Sequence, residues 1–332
     1  MKRSIQILAL LVIPVALAIL IVALPQFMSR PAFAVAENAG GKAVLVTGAS
    51  SGIGRNITER LAGSGYFVYA GARKQADLDE LNAIENVQAI RLDVTVQSEI
   101  DAAVETVSKA GRGLYGIVNN AGVVTVGSLH EIPEGDLLFQ FDVNVYGPYR
   151  VSKAFFPLLA NSKGRIVNIG SISGVLSSPL LGAYSMSKHA IEAYTDSMAA
   201  SVAQLGVQVS VIEPGNYKSD ILSSAIQRAK DEDQSFEGSI HEDSISQLMT
   251  SPADRSQYEE PDAVADAAVH ALFDYAPKRR YLVVPNQREA EITIRKAIEE
   301  LVQLNQDHPF TYDRDALVAM VDEAIAAATR PK

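Results

Sequence analysis

The chain has 332 residues, 48% of them hydrophobic and 20% charged, with 22 Gly and 14 Pro and no collagen period; a wholly disordered or fibrous chain is excluded. Thirty-nine acidic against 29 basic side chains give a formal net charge of −10. That lacks the basic footprint of a nucleic-acid binder, so no nucleic-acid partner is expected. Cysteine is absent, which excludes thiolate nucleophiles, disulfide frameworks and Cys-ligated metal centres.

In chain order, Lys2 and Arg3 come first, followed by 18 residues, 7–24, with no polar side chain and one interruption at Pro14. At about 1.5 Å per residue this run spans roughly 27 Å, close to the ~30 Å hydrocarbon core of a bilayer. Residues 1–30 therefore read as an N-terminal transmembrane anchor or signal segment, with residues 5–24 in the bilayer. Ala32-Phe33-Ala34 resembles a signal-peptidase site, but the apolar run is longer than an ordinary signal core and lies far from it. An uncleaved single-pass anchor is the expectation; cleavage would instead give a secreted or periplasmic domain. Lys2 and Arg3 favour a cytoplasmic N-terminus, while Arg30 and Lys42 oppose it, so the side of the membrane stays open. Residues 31–41, with Gly40 and Gly41, read as a linker.

From residue 42 the pattern alternates. Short β-branched runs predict strands at 43–47, 67–70, 87–92, 116–118, 165–169, 207–212 and 281–284. Helical stretches fall between them at 52–62, 76–85, 96–110, 134–160, 184–205 and 260–274. This alternation predicts a doubly wound α/β domain, 42–290, with a parallel sheet of about seven strands covered on both faces. Residues 217–257 break the rhythm: polar, acidic and Ser-rich, they read as a lid or a flexible surface loop. Residues 291–332 form a C-terminal helical extension, with helices expected near 288–304 and 314–328 and no chemistry assigned to them.

Thr47-Gly-Ala-Ser-Ser-Gly-Ile-Gly54 links the first strand to the first helix. Glycines allow a tight turn and close approach of a pyrophosphate, and the helix N-terminus offers unpaired N–H groups and a partial positive charge. The candidate binders here are Gly48, Ser50, Ser51, Gly52, Ile53 and Gly54. Tyr184 and Lys188 are four apart on a predicted helix and share a face. A neighbouring ammonium favours the phenolate, lowering the tyrosine from its reference pKa of about 10 and fitting it for proton exchange. The five histidines, 130, 189, 241, 270 and 308, show no metal-ligand spacing, and no metal is expected.

Together these motifs resemble the short-chain dehydrogenase/reductase family in its single-domain Rossmann-fold branch, over about residues 42–290. The resemblance rests on the glycine loop, on Asn119-Asn-Ala-Gly122 after the fourth strand, and on Asn144 in the long helix. It rests further on Ser171 after the fifth strand, on Tyr184-Ser-Met-Ser-Lys188, and on Pro214-Gly215 after the sixth. It implies an oxidoreductase acting on an alcohol or carbonyl, with Asn144, Ser171, Tyr184 and Lys188 as the catalytic set. Ser171 would stabilise charge on the substrate oxygen, and Asn144 would place a water beside Lys188. Ser173 is a rival for the serine role, but the 13-residue separation of Ser171 from Tyr184 matches the family.

The resemblance also implies a nicotinamide cofactor held by the glycine loop, Asp93, Val94, Asn120, Ala121, Gly122, Tyr184, Lys188, Pro214, Gly215 and Ser219. Ala72 occupies the place of the acidic residue that binds the adenosine ribose, and Arg73 follows it. With Arg55 just past the glycine loop, NADP(H) is expected over NAD(H). Residues 123–210 look most like the steroid and retinol dehydrogenase side of the family. With the anchor, this points to a lipophilic alcohol, ketone or aldehyde as the small-molecule partner. Relatives assemble as dimers or tetramers, which makes a homo-oligomer an expectation of unspecified count. Two alternatives stand beside this reading: a catalytically silent NAD(P)-binding sensor or scaffold, and a sugar-nucleotide epimerase or dehydratase, whose glycine spacing differs.

Overall fold

The computed structural model describes residues 41–250 and 257–329. The expected anchor and most of the linker lie outside the described residues. Among the described residues no helix is long and apolar enough to cross a membrane.

The strands are β1 (Ala43–Thr47), β2 (Phe67–Ala72), β3 (Val87–Arg91), β4 (Gly116–Asn119), β5 (Arg165–Ile169), β6 (Gln208–Pro214) and β7 (Arg280–Val283). They form one sheet in the order β3-β2-β1-β4-β5-β6-β7, with every pair parallel. Alternation along β1 explains the two faces. Val44 and Val46 enter one core, while Ala43 and Leu45 enter the other. All five residues of β1 are buried, as a strand covered on both sides requires.

The first core lies under α1 (Gly52–Gly63) and α9 (Asp262–Phe273). These helices present Ile57 and Leu61 and an alanine-rich face, Ala265, Ala268 and Leu272. Small residues let the two helices approach the sheet closely. Tyr66 and Phe273 seal the bottom with rings stacked 3.8 Å apart. Between them in the chain come α2 (Gln75–Asn82), α3 (Gln97–Lys109), α4 (Glu134–Phe141), α5 (Gly147–Ser162), α6 (Gly182–Val202), α7 (Ile221–Asp231) and α8 (Glu242–Thr250). The second core packs α3, α5 and α6 on the other face, through Ile100, Phe155, Leu159 and Ala199.

Two features depart from the sequence expectation. The long helix expected over 134–160 is split by a π-helical turn, Asp142–Tyr146, before Pro148 opens α5. The expected loop at 217–257 forms α7 and α8, with Ala225, Ile226, Ala229 and Ile245 buried. Their apolar spacing is helical, but the polar residues around it dominate the composition. The C-terminal helices α10 (Gln287–Leu304) and α11 (Arg314–Thr329) form as expected, and α10 runs across the residue-290 boundary.

A buried polar network ties the centre together. Asn119 Nδ2 donates to Ser152 Oγ at 3.0 Å and to Asn168 Oδ1 at 2.8 Å, and Asn168 Nδ2 donates to Thr195 Oγ1 at 2.9 Å. It locks β4 and β5 to α5 and α6. Replacing Asn168 by Leu strands amide and hydroxyl groups without solvent. Urea denaturation of Asn168→Leu is expected to show a loss of ~1–3 kcal/mol; an unchanged midpoint would mean that the network carries no stability.

Candidate active site

A cleft of about 910 Å³ runs along the C-terminal ends of the strands, from Ala72 after β2, past Gly48 and Asn120, to Gly215. It straddles β1 and β4, where the strand order reverses. Crossovers leave in opposite directions at that point, so no helix covers it.

Two loops form its floor, and Thr47 joins them. Its Oγ1 accepts from the backbone N–H of Asn120 and of Ala121, each at 3.0 Å. Asn120 Nδ2 donates back to the Thr47 and Gly48 carbonyls at 3.0 Å. A side chain at Gly54 would overlap Gly48 O and Asn120 Nδ2, so the first turn of α1 can sit against the loop only with glycine there. Gly48 and Gly52 have φ of +63° and +53°. Ser51 caps α1 without a side-chain hydrogen bond, leaving the helix N-terminus presented to the cleft without an internal anion.

Every expected cofactor residue except Arg55 lines this cleft. Arg55 turns away: its Nε lies 2.5 Å from Glu59 Oε1 and its Nη1 lies 3.8 Å from Glu80 Oε2. A carboxylate one turn on captures it along the helix surface. Arg73 does reach the cleft, 62% exposed, with Nη1 3.7 Å from Asp93. Burial works to raise the Asp93 carboxyl, but hydrogen bonds from Thr95 and the Arg73 charge outweigh it and hold it below its ordinary value.

Ser171, Tyr184 and Lys188, three of the four residues expected to react, line the cleft together. Ser171 caps a short 3₁₀ turn, Ile172–Gly174, and its Oγ accepts from Ser173 N at 3.0 Å. The backbone of Ser173 thus aims the Ser171 hydroxyl, whose proton is left to donate. Tyr184 stands in the first turn of α6. Lys188 Nζ lies 5.5 Å from its ring centroid and donates to Ile169 O at 2.8 Å. Burial pulls Lys188 down to about 8, against the opposing charge of Glu192. Asn144 sits in the π-helical turn and ties the segment after β4 to α6. Its side chain grips Val123 N at 2.8 Å, and Val123 O and Ser187 Oγ at 3.0 Å, with no bond to Lys188. It therefore fixes the residue preceding the lysine.

Two groups went unseen in the sequence. Thr47 carried no signal beyond ending a strand. Glu289 on α10 holds the Gly215–Asn216 segment of the cleft wall: its Oε2 accepts from Asn216 N at 2.8 Å, and a side chain at Gly215 would overlap it. Asn286 caps α10 by accepting from Glu289 N at 3.0 Å, so Asn286-x-x-Glu289 was a legible capping pattern.

The family model for short chain dehydrogenases matches residues 42–230. The mitochondrial D-beta-hydroxybutyrate dehydrogenase of Rattus norvegicus is 38% identical over 192 residues, which make up 55% of this chain and 56% of that one. This match spans only about half the length of that relative. Retinol dehydrogenase 7 of Rattus norvegicus is 32% identical over 254 residues, 72% of this chain and 80% of that one. The crystal structure of a short-chain dehydrogenase from Streptomyces avermitilis superposes with a TM-score of 0.66 at 29% identity, covering 79% of this chain and 94% of that one. The chain belongs to the short-chain dehydrogenase/reductase family. A nicotinamide dinucleotide is the cofactor typical of that family. The glycine-lined cleft at the strand-order reversal, with the open N-terminus of α1, fits such a group.

The Glu289 contact gives a test. Glu289→Ala frees the Gly215–Asn216 loop and is expected to weaken NAD(P)H binding roughly tenfold, from loss of a hydrogen bond to a charged acceptor. Fluorescence titration of the reduced cofactor reads it, and unchanged affinity would make the contact incidental.

Proposed function

We propose that this chain is an NADP(H)-preferring dehydrogenase/reductase that interconverts a lipophilic alcohol and its ketone or aldehyde. The carrying observation is that Ser171, Tyr184 and Lys188 line one cleft that also carries an apolar stretch of wall beside Tyr184. Val124, Leu181, Leu222 and Leu248 form part of that wall, in a small cluster around Tyr184 that includes α7 and α8.

When bound, the nicotinamide supplies or accepts the hydride. The chain's own residues handle the proton and the geometry. The Tyr184 hydroxyl exchanges a proton with the substrate oxygen, and the Lys188 ammonium favours its phenolate. The Ser171 hydroxyl, aimed by Ser173 N, donates to the same oxygen where charge develops. Asn144 positions α6 through Ser187. The glycine loop, Asp93, Val94 and Pro214-Gly215 hold the cofactor, and Ser219 faces it beside Gly52. Arg73 is the cation available to a 2′-phosphate, with no acidic side chain at Ala72 to repel one.

The wall also argues against a small hydroxy acid. Arg228 lines the substrate side, but it lies 3.3 Å from Asp136 and 3.6 Å from Glu232 and stacks 4.5 Å over Phe139. Held by two carboxylates, it is a strap between α7 and α4 rather than a carboxylate clamp. The apolar run at 7–24 supports a substrate drawn from the bilayer, and the resemblance to retinol dehydrogenase 7 points the same way.

Tyr184→Phe is expected to lower kcat by about 10²–10⁴ with cofactor affinity retained. Unchanged turnover would return the silent sensor as the better reading. A panel of steroid, retinoid and long-chain carbonyls is expected to react where small polar ketones do not, and the reverse pattern would remove the lipophilic assignment. Arg73→Glu is expected to invert a preference for NADPH over NADH in paired titrations; equal wild-type affinities would sink that preference.

A further inference from the structure

One turn beyond Lys188 on α6, Glu192 points beneath the turn that carries Ser171. A Cβ placed at Gly170 would lie 3.0 Å from Glu192 Oε1, and one at Gly174 would lie 3.1 Å from it, so the carboxyl fills the space those glycines leave. Glu213, the last residue before Pro214-Gly215 on β6, is 5% exposed and meets the same carboxyl from the sheet side. Arg280 on β7 reaches both. Its Nε donates to Glu192 Oε2 at 3.0 Å and lies 3.7 Å from Glu213 Oε1, while its Nη2 donates to Asp196 at 2.6 Å.

The donor count does not close. Oε1 of Glu192 and Oε1 of Glu213 are both buried, and among the described residues neither has a hydrogen-bond donor. Ionised carboxylates only accept, and two of them in contact in a dry site repel. One proton between the pair resolves both problems, giving a donor to one oxygen and removing one charge. The charged groups facing the pair are Lys188 and Asp196 on α6 and Arg280 on β7. With three carboxylates against two cations, one shared proton also makes the cluster neutral.

We propose that Glu192 and Glu213 share a single proton beneath the Ser171 turn, and that this carboxyl pair, clamped by Arg280, is a positioning element that keeps the neighbouring Lys188 charged. The role rests on reading Tyr184 and Lys188 as reacting residues; the shared proton does not. Burial and the Glu213 charge push Glu192 up to about 7, the range in which such a pair holds its proton at neutral pH. The charge on Glu192 opposes the burial that pulls the Lys188 ammonium down, and it grows as the pair gives up its proton towards the lysine's own midpoint of about 8. Glu192 is thus the nearer source of that support, and Glu213 the more distant.

The isosteric variants separate the two carboxyls. Glu192→Gln leaves the remaining charge on Glu213, farther from Lys188, so the lysine loses its proton at lower pH. Glu213→Gln removes one of the causes that raise Glu192 and keeps the Glu192 carboxylate beside Lys188, so the lysine midpoint stays or rises. The full chain labelled with ¹⁵N-lysine, with Lys188→Arg for assignment, reads that midpoint by NMR. A fall of about half a pH unit or more is expected in Glu192→Gln alone. Infrared difference spectra near neutral pH are expected to show a protonated-carboxyl stretch in the wild type that both variants lose. The alkaline limb of kcat/KM is expected to follow the lysine midpoint.

Absence of the protonated-carboxyl band, or an equal lysine shift in both variants, overturns the proposal. Thermal melts of both variants establish that each is folded. The two spectroscopic readouts need no substrate. If they behave as expected while Tyr184→Phe leaves turnover intact, the catalytic reading fails and the proton pair stands.

Discussion

Parallel strands joined by right-handed crossovers cannot be covered everywhere. From β1 the chain crosses towards β2 on one side, and from β4 it crosses towards β5 on the other. The helices following these strands diverge, and a crevice opens at the strand ends between them. Every functional group described lies on that crevice or is held by something that does. The glycine loop leaves β1, the Asn120–Gly122 segment leaves β4, and Thr47 binds one to the other. The turn carrying Ser171 leaves β5 and the Pro214-Gly215 segment leaves β6. The sheet sets where each group starts, and short hydrogen bonds set where it points.

Charge in this site is managed by burial more than by exposed pairing. Lys188 is buried against the inner wall of the cleft, where its ammonium is costly, and this pulls it down to about 8. The carboxyls behind it are pushed the other way for the same reason. Surface ion pairs such as Lys218–Glu260 add little, because water screens them. The arginines show the contrast. Arg55 is absorbed by Glu59 on its own helix, while Arg73, on a loop, pairs with Asp93 at 3.7 Å and stays 62% exposed at the cleft.

What could be read from the residues follows from the range of the interactions. Strand runs such as Ala43–Thr47 are legible because burial on both faces demands an unbroken apolar segment. The Tyr184–Lys188 pair and the glycine loop are legible because their spacing is local. The helices over 221–250 were missed because a half-buried helix shows few apolar residues in a polar stretch, and its core partners, Val124 and Val126, are a hundred residues away. The π turn at Asp142–Tyr146 has no local pattern and follows from the grip of Asn144 on Val123. The orientation of Arg55 and the reach of Glu289 to Asn216 depend on which side chain arrives first at a shared position, and spacing does not carry that.

The Glu289 contact has a consequence for biosynthesis. The glycine loop leaves the ribosome early, and Ser171, Tyr184 and Lys188 are all made by residue 188, yet the Gly215–Asn216 segment is held by a carboxylate on α10 a hundred residues later. The strand that brings Arg280 to the buried carboxyls also comes late. A nascent chain therefore carries its chemistry before it has the clasp that secures its cofactor loop. The segment that follows β6 and the carboxyls buried beneath the Ser171 turn thus meet their partners only once the last sheet strand and α10 have been made.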